Sequence, residues 1–565
     1  HYKVLNSSRG PAVRATLVQC DKLAYATSMR RVLEAQPQLT IKQATVSKLW
    51  LDNGALRGVE SGHQVRFEGQ TVILTAGTFL SAVCHTGTAQ EQGGRAGEGS
   101  SVGLGEQLRA LGVTTLRHKT GTCPRVDART IDWQKLRPDP GIKPPRPLAK
   151  VSDPVLLPQM DCYATTTNLD THRIIEDAIP RSPLFSGAIE GTGPRYCPSI
   201  EDKIIRFAGR DSHQLFLERE GWQTSEVYLS GLSTSLPVDA QIAMVRSIEG
   251  LEQAEIVRFG YAVEYDTIDP RQLRRSLELR ALDGLFFAGQ VNGTSGYEEA
   301  AGQGLVAGLH AIAKVRGEED PRFDRSTSYL GVMIDDLVTR GGTEPYRMFT
   351  SRAEHRLSLR VGNADLRLTE TGRSLGLVDD RLWSVFKARK ARLEHARTLL
   401  EQTQINPTAA VRGHLEALGL GSMRVPTSLA TLLRRPQLRW TDIESLMPDG
   451  LTGDCAGHGA LADDDIDELI TESRYAGYVE RERIRLERTR RNESVLLPED
   501  LDYEGIGGLS QEAKERLDEV RPETLGQARR VPGITAGAIQ ALSLYLEMRK
   551  RRRRGHGSDS KAATP

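Results

Sequence analysis

Apolar residues recur at helical spacing near the start of the chain and then switch to the spacing of strands. Leu23, Ala26, Met29 and Leu33 recur every three or four positions, which predicts a helix over residues 19–34 with these side chains inward. Shorter apolar runs after it predict strands at residues 39–45, 46–51, 56–60 and 64–67, with a turn at residues 52–54.

Two further runs are apolar at every position, which is typical of strands buried on both faces of a parallel sheet. They are residues 71–75 and 285–288, and each leads to a glycine, Gly77 and Gly289. The second strand is followed by a predicted helix over residues 297–313. Because ligands bind outside the carboxyl ends of such strands, these turns are candidate walls of a cofactor site. For Gly77, an ordinary strand-end glycine is the alternative.

A glycine-rich stretch, residues 93–97, precedes Ser100, Ser101 and a predicted helix that reaches Leu111. Glycines allow backbone N–H groups to approach phosphate or flavin oxygens, and Arg95 adds positive charge. The same composition is also typical of a flexible surface loop, so both interpretations remain open.

A cysteine lies between a glycine-rich turn and a predicted helix in residues 191–203. Pro198 suits the first helical position, which places Cys197 at about the N-cap. A helix N-terminus stabilises the thiolate, which is the reactive form of cysteine, whereas the alternative is a buried free cysteine beside a turn. The apolar face of this helix is predicted to comprise Ile200, Ile204 and Phe207.

Arginines alternate with aromatic residues further along the chain. Residues 351–354 have the pattern of a capping box, which predicts the start of a helix. On that helix Arg352 and Arg356 would share one face, with Arg347 just upstream. The mixture of arginines and aromatic rings suits phosphate contacts beside stacked bases, and a solvated charged face is the alternative.

Charge and helical spacing dominate after about residue 316. The pattern predicts a long charged helix over residues 464–492 and two or three short helices over residues 509–546. The chain ends in a basic run and a polar tail, and we expect residues 549–565 to be disordered, with non-specific attraction to RNA as one use.

Length and composition limit the class of protein. A chain of 565 residues predicts several domains. Its 75 basic and 74 acidic residues give a net charge near zero, so the overall charge by itself does not point to a polyanionic partner. No two of the six cysteines form a CxxC motif, which argues against a zinc site and against a disulfide framework. Free cysteines of this kind fit a reducing cytosol. No apolar run is long enough to span a bilayer. The chain begins with His1 rather than Met, and we expect a fragment that starts inside a domain.

Several of these stretches resemble one family. Residues 193–203 read GPRYCPSIEDK, which is similar without a gap to the signature of the MnmG (GidA) family. Residues 287–300 resemble the family's FAGQxNGTxGYEEA, and residues 344–360 resemble its EPYRMFTSRAEYRLxLR. The resemblance extends from residue 1 to about residue 548.

The family resemblance implies an α/β fold in three parts. These are a Rossmann-like FAD-binding domain, N-terminally truncated in this chain, an inserted mixed α/β domain, and an all-α C-terminal region. The implied ranges are 1–118 and 276–316 for the FAD-binding domain, 119–275 for the inserted NAD and substrate domain, 317–548 for the helical tRNA- and partner-binding region, and 549–565 for the basic tail.

The resemblance also implies roles for individual residues, and it implies no metal site. It assigns a catalytic role to Cys197 and tRNA binding to Arg347, Arg352 and Arg356. The residues implied to contact FAD are Ser101, Gln290 and Val46. The residues implied to bind NAD surround the cysteine and comprise Gly193, Pro194, Arg195, Tyr196, Ser199, Ile200, Glu201, Asp202, Lys203 and Phe207.

The activity implied is the addition of an aminomethyl or carboxymethylaminomethyl group to C5 of the wobble uridine of tRNA. The implied cofactors are FAD and NAD(H), with methylene-tetrahydrofolate as co-substrate. The implied partners are tRNA and an MnmE-type GTPase, in a heterotetramer built on a homodimer. We expect a cytoplasmic location, or a mitochondrial one if the source is a eukaryote. The alternatives are a related folate- and FAD-dependent tRNA uridine C5-methyltransferase, against which the long helical C-terminal half argues, and a non-catalytic tRNA-binding adaptor.

The chain departs from the family pattern at several places. No GxGxxG motif follows a strand, Cys123 stands where the family has proline, and His355 stands where it has tyrosine. Because the glycine motif holds the FAD pyrophosphate in the family, we expect these 565 residues expressed alone to be colourless and prone to aggregate, with the helical C-terminal half still folded.

Overall fold

A computed structural model describes residues 1–145, 147–152, 157–195, 198–342, 344–420, 423–446, 455, 457, 459–493 and 495–559. The strands are β1 Tyr2–Leu5, β2 Ala15–Val18, β3 Val46–Asp52, β4 Ala55–Ser61, β5 Arg66–Glu68, β6 Val72–Leu74, β7 Val83–Thr86, β8 Ala89–Gln92, β9 Thr115–Thr122, β10 Arg125–Asp127, β11 Arg137–Asp139, β12 Cys162–Thr166, β13 Gln214–Arg219, β14 Glu226–Ser230, β15 Ile256–Arg258, β16 Tyr261–Ile268, β17 Leu285–Phe287, β18 Gln404–Ile405 and β19 Thr427–Ser428.

The helices alternate with the strands in the first half of the chain and dominate the second half. They are α1 Lys22–Glu34, α2 Val102–Ala110, α3 Leu169–Ala178, α4 Ile200–Arg206, α5 Val238–Arg246, α6 Tyr297–Arg316, α7 Tyr329–Arg340, α8 Ala364–Ser374, α9 Asp380–Gln402, α10 Ala409–Ala417, α11 Leu429–Leu433, α12 Trp440–Glu444, α13 Asp463–Glu493, α14 Gln511–Val520, α15 Leu525–Arg530 and α16 Ala536–Asp559.

The two apolar runs form strands, β6 and β17, as predicted, and the structure pairs them in parallel. The prediction that residues 71–75 are buried on both faces is wrong, because Ile73 is 37% exposed. Their register joins Leu285 to Val72 and Phe287 to Leu74. All three residues of β17 are buried, because helices and neighbouring strands cover both of its faces in one hydrophobic cluster. The carboxyl ends of the two strands therefore lie side by side and bring their following glycines to the same edge.

The strands predicted around the turn at residues 52–54 form an antiparallel sheet in the order β3-β4-β5. Asn53 and Gly54 both have positive φ, as a tight hairpin turn requires. The strand predicted at residues 39–45 is wrong, since this stretch is irregular and its Leu39 and Ile41 are exposed. An extended run becomes a strand only where another edge pairs with it, and no described strand does so here.

Helix α1 has the position predicted for it, but the prediction of an inward apolar face is wrong. Asp21 caps the helix by accepting a hydrogen bond from the backbone N–H of Ala24. Leu23 and Met29 are 62% and 41% exposed, and the helix has no buried residue. Helical spacing aligns these side chains on one face, but among the described residues no element covers that face.

A long pair of strands carries the chain into and out of an inserted domain. β9 and β16 pair antiparallel along their whole length, from Tyr261 opposite Thr122 to Ile268 opposite Thr115. Between them the chain forms a sheet in the order β11-β12-β13-β14-β10-β15, against which α3, α4 and α5 bury a separate hydrophobic cluster. The predicted domain limits at residues 119 and 275 lie in β9 and just beyond β16.

The second half of the chain is helical. Its larger hydrophobic clusters lie between α9 and α13 and around α14–α16. The long charged helix and the short helices after it have the positions predicted for them. The last helix extends to Asp559, and the disorder expected for residues 549–565 stays a prediction. None of the described helices combines the length and hydropathy needed to cross a bilayer.

Candidate functional site

The structure brings together two of the residues implied to contact a flavin. The hydroxyl of Ser101 donates a hydrogen bond to the carbonyl oxygen of Val46 at 3.2 Å. Ser101 is the N-cap residue of α2, but its side chain makes no capping bond. Its hydroxyl therefore joins the start of α2 to the start of β3.

The glycine-rich loop of residues 93–97 folds back on the chain that follows β6. The hydroxyl of Thr78 donates a hydrogen bond to the carbonyl of Gly94 at 2.7 Å. A side chain at Gly94 would meet the ring of Phe79 at 2.4 Å. The start of the loop is thus packed against Thr78 and Phe79, whereas residues 95–97 are exposed. Gly77, which starts this stretch, has φ +58, so the turn after β6 favours glycine for a conformational reason.

The turn after β17 is held by α6. Gly289 has φ +88 and donates its backbone N–H to the Gln303 side chain at 3.1 Å. Gln303 also accepts from Asn292 at 2.9 Å and donates to Thr294 at 3.0 Å. Gln290 lies at the edge of this turn, where its amide donates to the hydroxyl of Tyr265 at 3.5 Å. The sequence reasoning missed Gln303, although its place one turn into α6 is a usable signal.

Two buried polar atoms beside this turn have no hydrogen-bond partner in the described part of the chain. They are Oδ1 of Asn292 and Nε2 of His118. Gly293 lies between them, and a side chain on it would meet the His118 ring at 3.0 Å. Burial lowers the pKa of His118 to about 4, so its imidazole is neutral at pH 7. A bound molecule could satisfy both atoms without bringing in charge.

The stretch that leads to Cys197 is fastened to β9 and β16. Thr192 exchanges backbone hydrogen bonds with β9, accepting from Lys119 at 3.0 Å and donating to Arg117 at 3.1 Å. The carboxylate of Glu264 on β16 accepts the backbone N–H groups of Glu190 at 2.9 Å and Gly191 at 2.6 Å. Sequence reasoning gave no role to Glu264, because its distance of more than 70 residues along the chain hides this contact.

Glu264 is buried and surrounded by positive or hydrogen-bonding groups. Burial alone would raise its pKa, but the imidazole of His85 at 3.7 Å, the charge of Arg117 and the two backbone N–H groups together hold the pKa below its usual range. Its carboxylate is therefore ionised at neutral pH. It provides a fixed acceptor at the base of the cysteine-bearing stretch.

The prediction that Cys197 lies at the N-cap of the next helix is wrong. The N-cap residue is Ser199, which forms a capping box with Asp202 and precedes α4. The sequence pattern Ser-x-x-Asp is the signal for this cap, and Pro198 precedes it. Cys197 and Tyr196 lie outside the described residues.

Several residues implied to bind NAD have structural contacts. Ile200 and Ile204 are buried as predicted, whereas Phe207 is 45% exposed, because the helix ends at Arg206. Glu201 is fully buried and accepts from the hydroxyl of Thr234 at 2.9 Å. These contacts fasten α4 to the inserted domain.

The remaining residues implied to bind NAD contact β9, the turn at Gly231 and the chain just before the arginine segment. The Lys203 ammonium donates to the carbonyl of Gly231 at 2.7 Å. Gly193 lies against Lys119, whose side chain a Cβ at this position would meet at 2.3 Å. Pro194 follows it, and the exposed Arg195 pairs with Glu344 at 3.1 Å. The NAD role implied for this group stays a prediction.

The arginine segment, residues 346–356, does not form the predicted helix. It contains a short 3-10 turn at Thr350–Arg352 and further turns after it. A capping box would need the Glu354 side chain to reach back to the backbone, but this carboxylate pairs with Arg325 at 2.8 Å. Arg352 and Arg356 therefore do not share a helix face.

The three arginines of this segment have different surroundings. Arg352 lies over the ring of Tyr346 at 4.4 Å and donates through Nε to the carbonyl of Arg347 at 3.0 Å. Arg347 is exposed, with Nε 3.8 Å from the carboxylate of Glu299, and Arg356 is exposed as well. Arg347 and Arg356 can reach a phosphate, whereas Arg352 holds the segment in place.

The arginine segment and the turn after β17 are joined by backbone hydrogen bonds. Tyr346 donates to the carbonyl of Gly293 at 2.7 Å, and Ser295 donates to the carbonyl of Tyr346 at 3.2 Å. The Glu299 carboxylate accepts the backbone N–H of Met348 at 2.9 Å. The turn at residues 289–296 thus contacts the arginine segment directly. The cysteine-bearing stretch at residues 191–195 joins them through His118, because Gly191 lies against the His118 backbone and Gly293 lies against its ring.

Three thiols in the interior are held in the neutral form. Burial raises the pKa of Cys84 to about 11 and that of Cys162 to about 12, and it also raises the pKa of Cys123. Cys123, which departs from the family pattern, is therefore an inert core residue. Among the described residues no group of His, Cys, Asp and Glu side chains is arranged to hold a metal ion.

An α/β body with glycine turns at the ends of a parallel strand pair, an inserted sheet domain and a helical C-terminal half define a multidomain protein of the mixed α/β class. The family model described as "Glucose inhibited division protein A" matches residues 1–319. Two models of the MnmG/GidA tRNA-modifying enzyme match the rest, a C-terminal helical domain at residues 380–483 and a C-terminal helical bundle at residues 485–565. The chain belongs to the MnmG/GidA family.

Characterised relatives and solved structures agree with this assignment. The chain is 47% identical over 546 residues to the tRNA uridine 5-carboxymethylaminomethyl modification enzyme MnmG of Pelobacter propionicus, covering 97% of this chain and 86% of that protein. It is also 47% identical over 548 residues to the MnmG of Geobacter sulfurreducens, with the same coverage. The form II crystal structure of Aquifex aeolicus GidA matches with a TM-score of 0.86 at 38% identity, covering 96% of this chain and 86% of that one.

Proposed function

We propose that this chain modifies tRNA, adding an aminomethyl or carboxymethylaminomethyl group to C5 of the wobble uridine. The observation that carries the proposal is the meeting of the cysteine-bearing stretch, the turn after β17 and the arginine segment. In the proposed reaction the thiol-bearing segment, the turn and the exposed arginines would act together. The names and activities of the relatives support the same reaction.

FAD fits the edge formed by the parallel strand pair. Gly77 and Gly289 carry no side chain into that edge, and the unpartnered atoms of Asn292 and His118 lie near the second of these turns. Gln290 would hold the flavin from this turn, and Ser101 with Val46 would border its adenine side. When bound, the flavin supplies the reducing electrons of the reaction. NAD(H) as reductant and methylene-tetrahydrofolate as carbon donor belong to the same proposal.

Individual residues of the chain have separate roles in the proposed reaction. Cys197 is the proposed nucleophile toward the pyrimidine ring, and Glu264 fixes the stretch that carries it. Arg347 and Arg356 would bind phosphates of the anticodon arm, while Arg352 holds the segment on Tyr346. The His118 imidazole is neutral at pH 7 and adds no charge to the site.

The proposal includes the partners of the reaction. A GTPase of the MnmE type would bind the helical C-terminal half, and two copies of this chain would form the core of a heterotetramer. The proposed location is the cytoplasm, or the mitochondrion if the source is a eukaryote.

Nucleoside analysis of tRNA from a deletion strain tests the proposed activity. Loss of the C5-substituted wobble uridine, restored by the wild-type gene, is the expected result. Loss of the T-loop methyl group would instead favour the folate-dependent methyltransferase. A full set of modifications in the deletion strain would favour the non-catalytic adaptor.

A further inference from the structure

A buried ion pair fastens the C-terminal bundle, α14–α16, to the body of the protein. Arg530 on α15 donates to both carboxylate oxygens of Asp335 on α7, through Nε at 2.6 Å and through Nη2 at 2.8 Å. Asp335 is fully buried, and the side chain of Arg530 is 13% exposed. Burial alone would raise the pKa of Asp335, but the pairing with Arg530 and the charge of Arg325 hold the pKa below its usual range.

The same carboxylate shares a second arginine with its neighbour in sequence. Arg325 is buried and lies 3.3 Å from Asp335 and 2.7 Å from Asp336. Its other terminal nitrogen donates to the carbonyl of Arg352 at 3.1 Å and to Glu354 at 2.8 Å. Arg325 therefore links the acidic pair of α7 directly to the backbone of the arginine segment.

Asp336 completes the connection from the other side. It accepts the hydroxyl of Tyr346 at 3.2 Å and lies 3.5 Å from the guanidinium of Arg352, which itself rests on the Tyr346 ring. Arg340 approaches the same carboxylate at 3.7 Å. The two carboxylates that receive Arg530 and Arg325 thus also determine where Tyr346 and Arg352 lie.

We propose that Arg530 is a positioning residue for the arginine segment, so that docking of the C-terminal bundle sets how Arg347 meets tRNA. Asp335 and Asp336 share a limited set of positive charges in a region of low dielectric. Without Arg530, Asp335 draws Arg325 toward itself and away from Asp336 and the Arg352 carbonyl. The carbonyl of Arg352 then loses its hydrogen bond from Arg325, so Arg352 is held less firmly. The hydrogen bond from Arg352 to the carbonyl of Arg347 weakens as a result. For its RNA ligand this inference rests on the proposed function.

The test compares Arg530→Met with Arg529→Met in the full chain. Arg529 is adjacent on the same helix and exposed, so it is the matched control for charge. The first measurement is hydrogen exchange at the amides of Tyr346, Met348 and Arg352, which are hydrogen-bonded in the segment. We expect faster exchange at these amides in Arg530→Met and unchanged exchange in Arg529→Met.

The second measurement is binding of a tRNA transcript that carries a wobble uridine. We expect Arg530→Met to weaken binding about five-fold or more, and Arg529→Met to weaken it less. In a protein that already carries Arg352→Ala, Arg530→Met should cause no further loss, because both act through the same segment. Additive losses would show that Arg530 contacts the RNA directly and would overturn the proposal.

A compensating variant keeps the test decisive if Arg530→Met folds poorly. Arg530→Met combined with Asp335→Asn removes both charges of the pair, and we expect it to restore the slow exchange and the tRNA affinity. A failure to restore either would overturn the positioning role. Unchanged exchange in Arg530→Met would overturn it as well. Faster exchange with tRNA affinity unaffected by both Arg530→Met and Arg352→Ala would support the positioning role and contradict the assignment of the segment to tRNA.

Discussion

Glu264 accepts a hydrogen bond from the backbone N–H of Gly191 at 2.6 Å, between residues 73 positions apart in the chain. The contact fixes the start of the cysteine-bearing stretch to the long strand pair that connects the body and the inserted domain. A single carboxylate thus links the predicted nucleophile to the most extensively paired part of the sheet.

The first prediction concerns the pH dependence of this contact. Because the pKa of Glu264 is lower in the folded protein, its contribution to stability is complete above the ordinary glutamate pKa of about 4.3 and is lost as pH falls through the lowered value. We expect Glu264→Gln to lower the free energy of unfolding by about 1–3 kcal/mol at pH 7. Below about pH 5 the free energy of unfolding of this variant should depend less on pH than that of the wild type. Urea denaturation at several pH values measures both; a variant with the wild-type pH dependence would contradict the anchoring role.

The second prediction concerns the close approach of Gly191 to β9. A Cβ at this residue would lie 2.9 Å from the backbone carbonyl of His118, where neither backbone can move freely. We expect Gly191→Ala to destabilise the protein by about 1–3 kcal/mol. Gly209→Ala is the control, because nothing lies within 4 Å of its Cβ position, and it should change stability by less than about 0.5 kcal/mol. Equal denaturation midpoints for the two variants would refute the close packing of the stretch.

The third prediction concerns Ser101. Its hydroxyl bonds only across to Val46 and does not cap its own helix, so Ser101→Ala removes a contact between two elements. We expect a loss of about 0.5–1.5 kcal/mol in the free energy of unfolding. Ser374→Ala, whose exposed hydroxyl bonds within its own helix, should have a smaller effect. Chemical denaturation checks the pair, and the prediction fails if Ser374→Ala is the more harmful change.

The fourth prediction separates phosphate contacts from structural arginines. Arg347→Ala and Arg356→Ala should each weaken tRNA binding and lower the slope of log affinity against log salt by about one. Arg360 is the control, since it is buried in an ion pair with Glu468. Arg360→Ala should reduce thermal stability and leave the salt slope unchanged. An unaltered salt slope for both Arg347→Ala and Arg356→Ala would show that neither arginine contacts phosphate and that both belong to a solvated charged surface.

The fifth prediction concerns the nucleophile. Cys197→Ser should abolish wobble-uridine modification in cells, with tRNA affinity retained, because a serine hydroxyl is a far weaker nucleophile than a thiolate. Cys20→Ser is the control, since Cys20 is exposed and outside the signature. Wild-type levels of the modified nucleoside in the Cys197→Ser strain would remove this residue from the chemistry.

The sequence by itself determined the elements whose causes are local. The two apolar runs predicted the strands β6 and β17, because branched and aromatic apolar residues favour extended backbone. Both faces are buried in β17 but not in β6, where Ile73 is 37% exposed. Asn53 and Gly54 predicted the hairpin turn, because few residue pairs adopt positive φ readily. The long charged helix Asp463–Glu493 was likewise predicted from residue composition and spacing. The motifs of residues 193–203 and 344–360 predicted the family.

Only the tertiary structure decided which surfaces are covered and which polar groups meet. The apolar face of α1 was predicted to be buried, but periodicity aligns side chains without supplying a partner for them. Residues 351–354 have a capping-box pattern, yet Arg325 captures the carboxylate of Glu354 and the helix does not form. The contacts of Ser101 with Val46, Glu264 with Gly191 and Arg530 with Asp335 each join residues more than 50 positions apart. Such contacts depend on how whole elements pack, which no local pattern in the sequence specifies.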